Sequence, residues 1–218
     1  MRLLFVAADR MEFGGPLARA AKSGATRLGG NEILLVANGA GAKRAAAAVD
    51  RAAPGFHPDA LVSMGFCGAL DERLQIADIV GGTAIVGSDL ACARCQSRGA
   101  VEGPICSIGH VARTAAEKRL LRASGGIAVE MEAAGVAQRA ATLGLPVYVL
   151  KVVTDLSGET MANDFNSALT SDGHFDTIRI LTGTLRHPAV RIPELIRLRN
   201  RCVRAARALG EFIADCRF

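Results

Sequence analysis

The 218 residues carry 26 Lys and Arg against 21 Asp and Glu, a net charge of +5, and half are hydrophobic, with 24 Gly, 8 Phe, 1 Tyr and no Trp. That apolar fraction excludes a disordered chain; the scarcity of aromatic stacking platforms argues against nucleic acid as a partner; and no apolar run reaches the roughly 18–20 residues of a membrane span. A chain of this length buries about 70–75% of the surface its unfolded form exposes and needs no staple, so the expectation is one domain over residues 1–218.

Short apolar runs recur at Leu3 to Ala8, Ile33 to Ala37, Ala60 to Gly65, Ile79 to Val86, Ile105 to Ile108 and Val147 to Val153. Ala-rich stretches of helical length stand between several of them, at Ala42 to Ala53, Ala112 to Ala123 and Glu132 to Leu143. The alternation predicts an α/β fold whose strands are buried on both faces. Gly144 stops a helix and Pro146 opens the strand that follows. From Pro193 to Cys216, Leu195, Leu198, Cys202, Ala206, Leu209, Ile213 and Cys216 recur at helical spacing with Arg197, Arg201 and Arg204 off the stripe. This predicts an amphipathic terminal helix docked on the core.

The six cysteines, at 67, 92, 95, 106, 202 and 216, include one isolated C-x-x-C at Cys92 and Cys95 with no second pair. Free thiols are expected, and no metal site. The opening run is strand-like rather than a signal peptide, so the expected location is cytoplasmic.

In open α/β sheets ligands bind beyond the carboxyl ends of the strands, so the residues after each apolar run carry the chemistry. Four such places stand out: Asp9 to Glu12, Asn38 to Gly41, Gly65-Phe66-Cys67-Gly68, and Thr154-Asp155. The two Gly-rich segments permit close backbone approach, and the helix start after Gly41 favours an anion. Taken singly, each has an ordinary structural reading: strand-to-helix punctuation for the glycines, a helix cap for Asp155, a solvated loop charge for Glu12. The stretch IAVEMEAAG adds Glu130 and Glu132 in an otherwise apolar run, where a buried carboxylate is costly unless paired or hydrogen-bonded.

Together these segments resemble the nucleoside phosphorylase and nucleosidase superfamily, and within it the 5′-methylthioadenosine/S-adenosylhomocysteine nucleosidases. The residues that carry the resemblance are LLFVAADRME, ANGAGAKRAAAAVD, DALVSMGFCGALDERLQIADIVGGTAI, AVEMEAAGVAQRA and VYVLKVVTD, in that order. It implies a three-layer α/β fold with a mixed central sheet flanked by helices. It also implies Asp155 as the acid that protonates the leaving purine, Glu12 as the group that activates water, Glu132 as an acceptor for ribose hydroxyls and Met131 as an apolar floor under the sugar. Gly65 and Phe66 of the central motif, and Val111 and Ala112 where relatives present a stacking aromatic, are the remaining substrate-binding positions implied. No cofactor is implied, phosphate being a co-substrate if the enzyme is a phosphorylase, and the partners implied are a small nucleoside and further copies of the chain, as a dimer or larger homo-oligomer.

Two departures bear on the reaction. Phe66 stands where the superfamily usually has Ser, which removes one phosphate donor and favours water over phosphate, although Arg19, Arg94 and Arg113 are candidates to reach a site. The segment from Asp164 to His174 resembles the tail of hopanoid-associated phosphorylase-like proteins, so it is expected to line the pocket, and an apolar nucleoside remains open. Hydrolysis of a methylthioadenosine-type nucleoside is the leading expectation; a phosphate-dependent phosphorylase, of the hopanoid-associated type among others, and a catalytically silent nucleoside-binding protein are the alternatives. His110 and His174 are candidate contacts for the 5′ side of a nucleoside, with a surface role as the ordinary reading.

Overall fold

The computed structural model describes residues 1–170 and 172–218. Eight strands form one mixed sheet: β1 (Arg2–Ala7), β2 (Thr26–Leu28), β3 (Asn31–Ala37), β4 (Ala60–Ala69), β5 (Ile79–Ile85), β6 (Ala100–Ser107), β7 (Ala128–Glu130) and β8 (Val147–Asp155). Their order is β2-β3-β1-β4-β7-β6-β5-β8, and β8 pairs back onto β4. The strands β4, β7, β6, β5 and β8 therefore form a closed circuit, to which β1, β3 and β2 are added as a wing. Pairings are parallel in β1–β3, β1–β4, β4–β8, β5–β6 and β6–β7, and antiparallel in β2–β3, β4–β7 and β5–β8.

Helices cover both faces, which gives three layers. On one side α2 (Ala42–Phe56) and α4 (Ala133–Leu143) pack Ala45, Val49, Val136 and Ala140 against Leu4, Val6, Leu61 and Val149. On the other, α1 (Pro16–Ala20) and α7 (Pro188–Asp215) pack Leu17, Ala205, Leu209 and Ile213 against Leu3, Phe5, Val62 and Leu150. Alternate residues of β1 thus feed opposite cores, as the period of two along a strand requires, and all nine residues of β8 are buried. Three shorter elements, α3 (Ala115–Ala123), α5 (Phe165–Ala168) and α6 (Thr177–Thr184), lie nearer the carboxyl ends of the strands.

Several element boundaries differ from those expected, among them the start of β6, at Ala100 rather than Ile105, and three nearer the cavity. β4 does not end at Gly65 but runs on to Ala69, because a register shift between Cys67 and Gly68 lets it leave β8 and take up β7, pairing Gly68 with Val129. The helix expected from Ala112 starts at Ala115, where Thr114 accepts a hydrogen bond from the Glu117 N–H at 3.1 Å; this N-cap leaves Ala112 in the loop. The terminal helix begins at Pro188, not Pro193. Pro188 suits the first helical position, and the turn around Pro193 is tied down by Glu194, which accepts from the N–H groups of Ala162 and Asn163 at 2.8 Å each.

Candidate active site

Every strand-end segment singled out above, with the loop and cap residues after β8, contributes to or borders one cavity of about 410 Å³ at the carboxyl ends of β1, β4 and β8. Glu12 enters it from a 3-10 turn, Arg10–Glu12. Asp9 caps that turn by accepting from the Met11 N–H at 2.8 Å, while the Glu12 carboxylate reaches back to the N–H groups of Asp9 at 3.2 Å and Ala8 at 2.8 Å. This reciprocal box turns Glu12 inward. Its other oxygen accepts from the Phe66 N–H at 3.0 Å. Gly65 itself is no wall of the cavity: it has φ of +133°, and a Cβ there would stand 2.6 Å from Glu12 Oε1, so the close approach of strand and carboxylate requires glycine.

Burial, followed by the nearby charge of Glu132, pushes the Glu12 carboxyl up to about 7, against the opposing pull of Lys151 and the Phe66 and Asp9 N–H groups. At neutral pH such a group both gives and takes protons.

Glu130 and Glu132 divide the work at the start of α4. Glu130 Oε2 accepts from the N–H groups of Glu132 at 2.9 Å and Ala133 at 2.8 Å, which caps the helix, and lies 2.8 Å from Lys151 Nζ. Glu132 Oε1 accepts from the Gly41 N–H at 3.0 Å, and its Oε2 lies 3.4 Å from Lys151 Nζ. The anion expected at the start of α2 is therefore the chain's own Glu132. Asn38 lies outside the cavity lining and donates to the Arg44 carbonyl at 2.8 Å. Burial raises the Glu132 carboxyl above the usual carboxylate range despite Lys151. Lys151 is wholly buried; burial alone would lower its ammonium, but Glu130, Glu132 and Glu12 hold it above the ordinary lysine range.

Asp155 ends β8 at the bulge of β4. Its Oδ1 accepts from Thr154 Oγ1 at 3.1 Å and its Oδ2 from Lys118 Nζ, which also donates to the Leu156 carbonyl at 2.7 Å. A Cβ on Gly68 would meet Asp155 Oδ2 at 2.8 Å, so this second glycine also makes room for a carboxylate. Burial raises the Asp155 carboxyl, with Lys118 and Thr154 opposing.

Phe66, Val111, Ala112, Met131 and Glu132 all line the cavity, as do Glu12 and Asp155. Both backbone groups of Val111 are engaged by Asn166, whose Oδ1 accepts at 2.7 Å and whose Nδ2 donates at 2.9 Å. No aromatic stands at residues 109–113; instead Phe165 and Phe175, edge to face at 6.2 Å between ring centres, bring aromatic surface from the segment after β8. Met161, Ile180, Leu195 and Leu198 complete an apolar wall. His110 lines the cavity and pairs with Glu117, and Arg199 also borders it. His174, Arg19, Arg94 and Arg113 are not among its lining residues; Arg94 is paired with Glu102 at 3.1 Å and Arg113 with Asp164 at 3.3 Å. Sequence reasoning missed the two buried lysines. Lys151 carried a signal, a lone charge inside the strand VYVLKVVTD; Lys118 reads as one of several charges on a surface helix.

All six cysteines are free, and no group of His, Cys, Asp or Glu that would hold a metal occurs among the described residues. No helix among them is long and apolar enough to cross a membrane.

Among solved structures the chain is similar to the 5′-methylthioadenosine/S-adenosylhomocysteine nucleosidase of S. pneumoniae, with 18% identity and a TM-score of 0.70 over 99% of this chain and 97% of that one. It is equally similar to the S-adenosylhomocysteine nucleosidase of Streptococcus pyogenes, with 18% identity and a TM-score of 0.71 over 99% and 95%. Futalosine hydrolase of Helicobacter pylori matches with 16% identity and a TM-score of 0.68 over 99% and 96%. At such identities the likeness is one of fold. The sequence model of the phosphorylase superfamily matches residues 19–100 and 89–172, a span that includes the central glycine motif, Glu130-Met131-Glu132 and Thr154-Asp155, and on that match across more than half of its length the chain belongs to the phosphorylase superfamily.

Proposed function

We propose that the chain is a nucleosidase that hydrolyses the N-glycosidic bond of an adenine nucleoside of the methylthioadenosine/S-adenosylhomocysteine type, one with an apolar 5′ substituent. The observation that carries this reading is the convergence of Glu12, Glu132 and Asp155, from three separate strand ends, on one cavity whose remaining wall is mostly apolar. Cleavage leaves a sugar with oxocarbenium character and a purine that departs more easily once protonated. Asp155 is the group that delivers the proton to N7 of the base as the C1′–N9 bond breaks. Glu12, raised to about 7, removes a proton from the attacking water. Glu132 accepts from the ribose hydroxyls, and Met131 packs under the sugar without competing for hydrogen bonds. Phe165, Phe175 and Leu198 then meet the 5′ substituent.

Water is preferred over phosphate as the nucleophile because the Phe66 N–H is already held by Glu12 and Lys151 is committed to Glu130 and Glu132. Arg199 at the cavity wall is the observation that favours the second reading, a phosphorylase acting on an apolar nucleoside, including the hopanoid-associated type. The test is release of adenine from a panel of adenosine, 5′-methylthioadenosine, S-adenosylhomocysteine and longer 5′-alkyl adenosines, each with and without phosphate. Free ribose product without phosphate is expected. Phosphate-dependent formation of a sugar 1-phosphate would establish the phosphorylase, and no base release in any arm would leave a binding protein.

A further inference from the structure

Helix α3 buries only one of its residues, and that residue is Lys118. Its side chain has no exposure at all, and its ammonium donates to Asp155 Oδ2 and to the Leu156 carbonyl. Apolar residues ordinarily fill such a position. A buried lysine needs a counter-ion and a reason.

The reason lies in the hydrogen bonds of Asp155. Both of its carboxyl oxygens face donors, Oδ2 the ammonium of Lys118 and Oδ1 the hydroxyl of Thr154. These two donors favour the carboxylate form against the burial that favours the acid, so a proton that Asp155 passes on is replaced through one of them. Of the two donors, only the ammonium is an acid strong enough to supply one. The neighbouring charges are otherwise spoken for: the Glu159 carboxylate is gripped by Arg201 at 2.8 and 2.9 Å, and Lys151 serves Glu130 and Glu132.

We propose that Lys118 is a positioning residue that stores the proton Asp155 passes to the leaving base, an inference that rests on the nucleosidase reading above. As the C1′–N9 bond breaks, its electron pair stays with the purine and N7 takes a proton from Asp155. Asp155 in turn takes one from Lys118 Nζ, which becomes a neutral amine. Water adds to C1′, and its proton goes to Glu12. After the products leave, Glu12 loses its proton to solvent and Lys118 recovers one through Asp155, which borders the cavity. The sum is nucleoside plus water giving base plus free sugar.

The experiment compares the intact protein with Lys118→Met, Lys118→Arg and Asp155→Asn on two substrates. One is 5′-methylthioadenosine, whose base needs protonation; the other is 4-nitrophenyl β-D-ribofuranoside, whose nitrophenolate leaves without an acid. All three variants are expected to lose about 10²- to 10⁴-fold in kcat on the nucleoside, the usual worth of a general acid, and less than about fivefold on the nitrophenyl riboside. Arg is expected not to rescue, because guanidinium keeps the charge and the hydrogen bonds but does not release its proton. Recovery of nucleoside turnover in Lys118→Arg would overturn the proposal, and so would parallel loss on both substrates, the mark of a merely structural lysine. If the unsubstituted protein cleaves nitrophenyl riboside but no nucleoside, the nucleosidase reading fails instead, and this inference with it.

Discussion

Lys151 Nζ lies 2.8 Å from Glu130 and 3.4 Å from Glu132, so one buried ammonium is shared by two carboxylates two residues apart, one capping α4 and the other facing the cavity. A third, Glu12, acts on it at longer range. Lys151→Met leaves these carboxylates without their cation, and breaking a buried pair from one side costs about 3–5 kcal/mol. Chemical denaturation at pH 7.5 should show that loss. The deficit should shrink as pH falls, because the carboxyls then take up protons and need no counter-ion.

Glu12 links stability and turnover with opposite signs. Its folded value of about 7 stands above the ordinary 4.5, so the folded protein binds the proton more tightly than the unfolded chain. The stabilisation is complete below about pH 4.5 and is lost as pH rises through 7, by roughly 3 kcal/mol in total. Over the same window kcat/KM should climb with unit slope towards a plateau above pH 7, since only the ionised form accepts a proton from water. Glu12→Gln should flatten both profiles, whatever offset it adds to either; melting curves and initial rates between pH 5 and 8.5 check them.

Gly65→Ala puts a methyl 2.6 Å from Glu12 Oε1 in a backbone conformation with φ of +133°. The strain of that conformation alone is of order 1–3 kcal/mol. Turnover should fall further than stability, because the group displaced is the one that handles the water. A melting shift with undiminished kcat would mean that Glu12 has another place to go and that its position is not critical.

The apolar wall should separate binding from chemistry. Phe165→Ser and Phe175→Ser remove aromatic surface that lies towards the 5′ side in the proposed pose. They are expected to raise KM for 5′-methylthioadenosine about tenfold, at about 25 cal/mol per Å² of apolar surface, with kcat changed little and KM for adenosine nearly constant. Equal changes for the two nucleosides would place the 5′ substituent elsewhere.

Much of this was legible in the sequence wherever the determinant is local. Alternating apolar runs and Ala-rich stretches marked the strands and helices, and the polar residues after them marked the cavity, because the carboxyl ends of neighbouring strands necessarily meet. What escaped depends on contacts distant in sequence. Lys118 meets Asp155 across 37 residues only because α3 docks on β7, within reach of the end of β8. The continuation of β4 past Gly65 depends on a switch of partner that no run of residues encodes. The missing aromatic at 109–113 is visible as an absence, and the segment from Asp164 to His174 is expected at the pocket by resemblance; that Phe165 and Phe175 are the rings brought there follows from the packing after β8, which no local periodicity announces.

The pairing of β8 with β4 also governs how the molecule meets its neighbours in solution. Since the circuit closes on itself, the wing carries the outer border of the sheet, where β2, only three residues long with Arg27 at its centre, pairs with Asn31 to Ile33 and, among the described residues, leaves Leu34 to Ala37 of β3 without a strand on that side. A longer bare strand would offer a template for adding strands from other chains. If copies of the chain add strand to strand, that short bare stretch of the wing is therefore the place where the ladder forms.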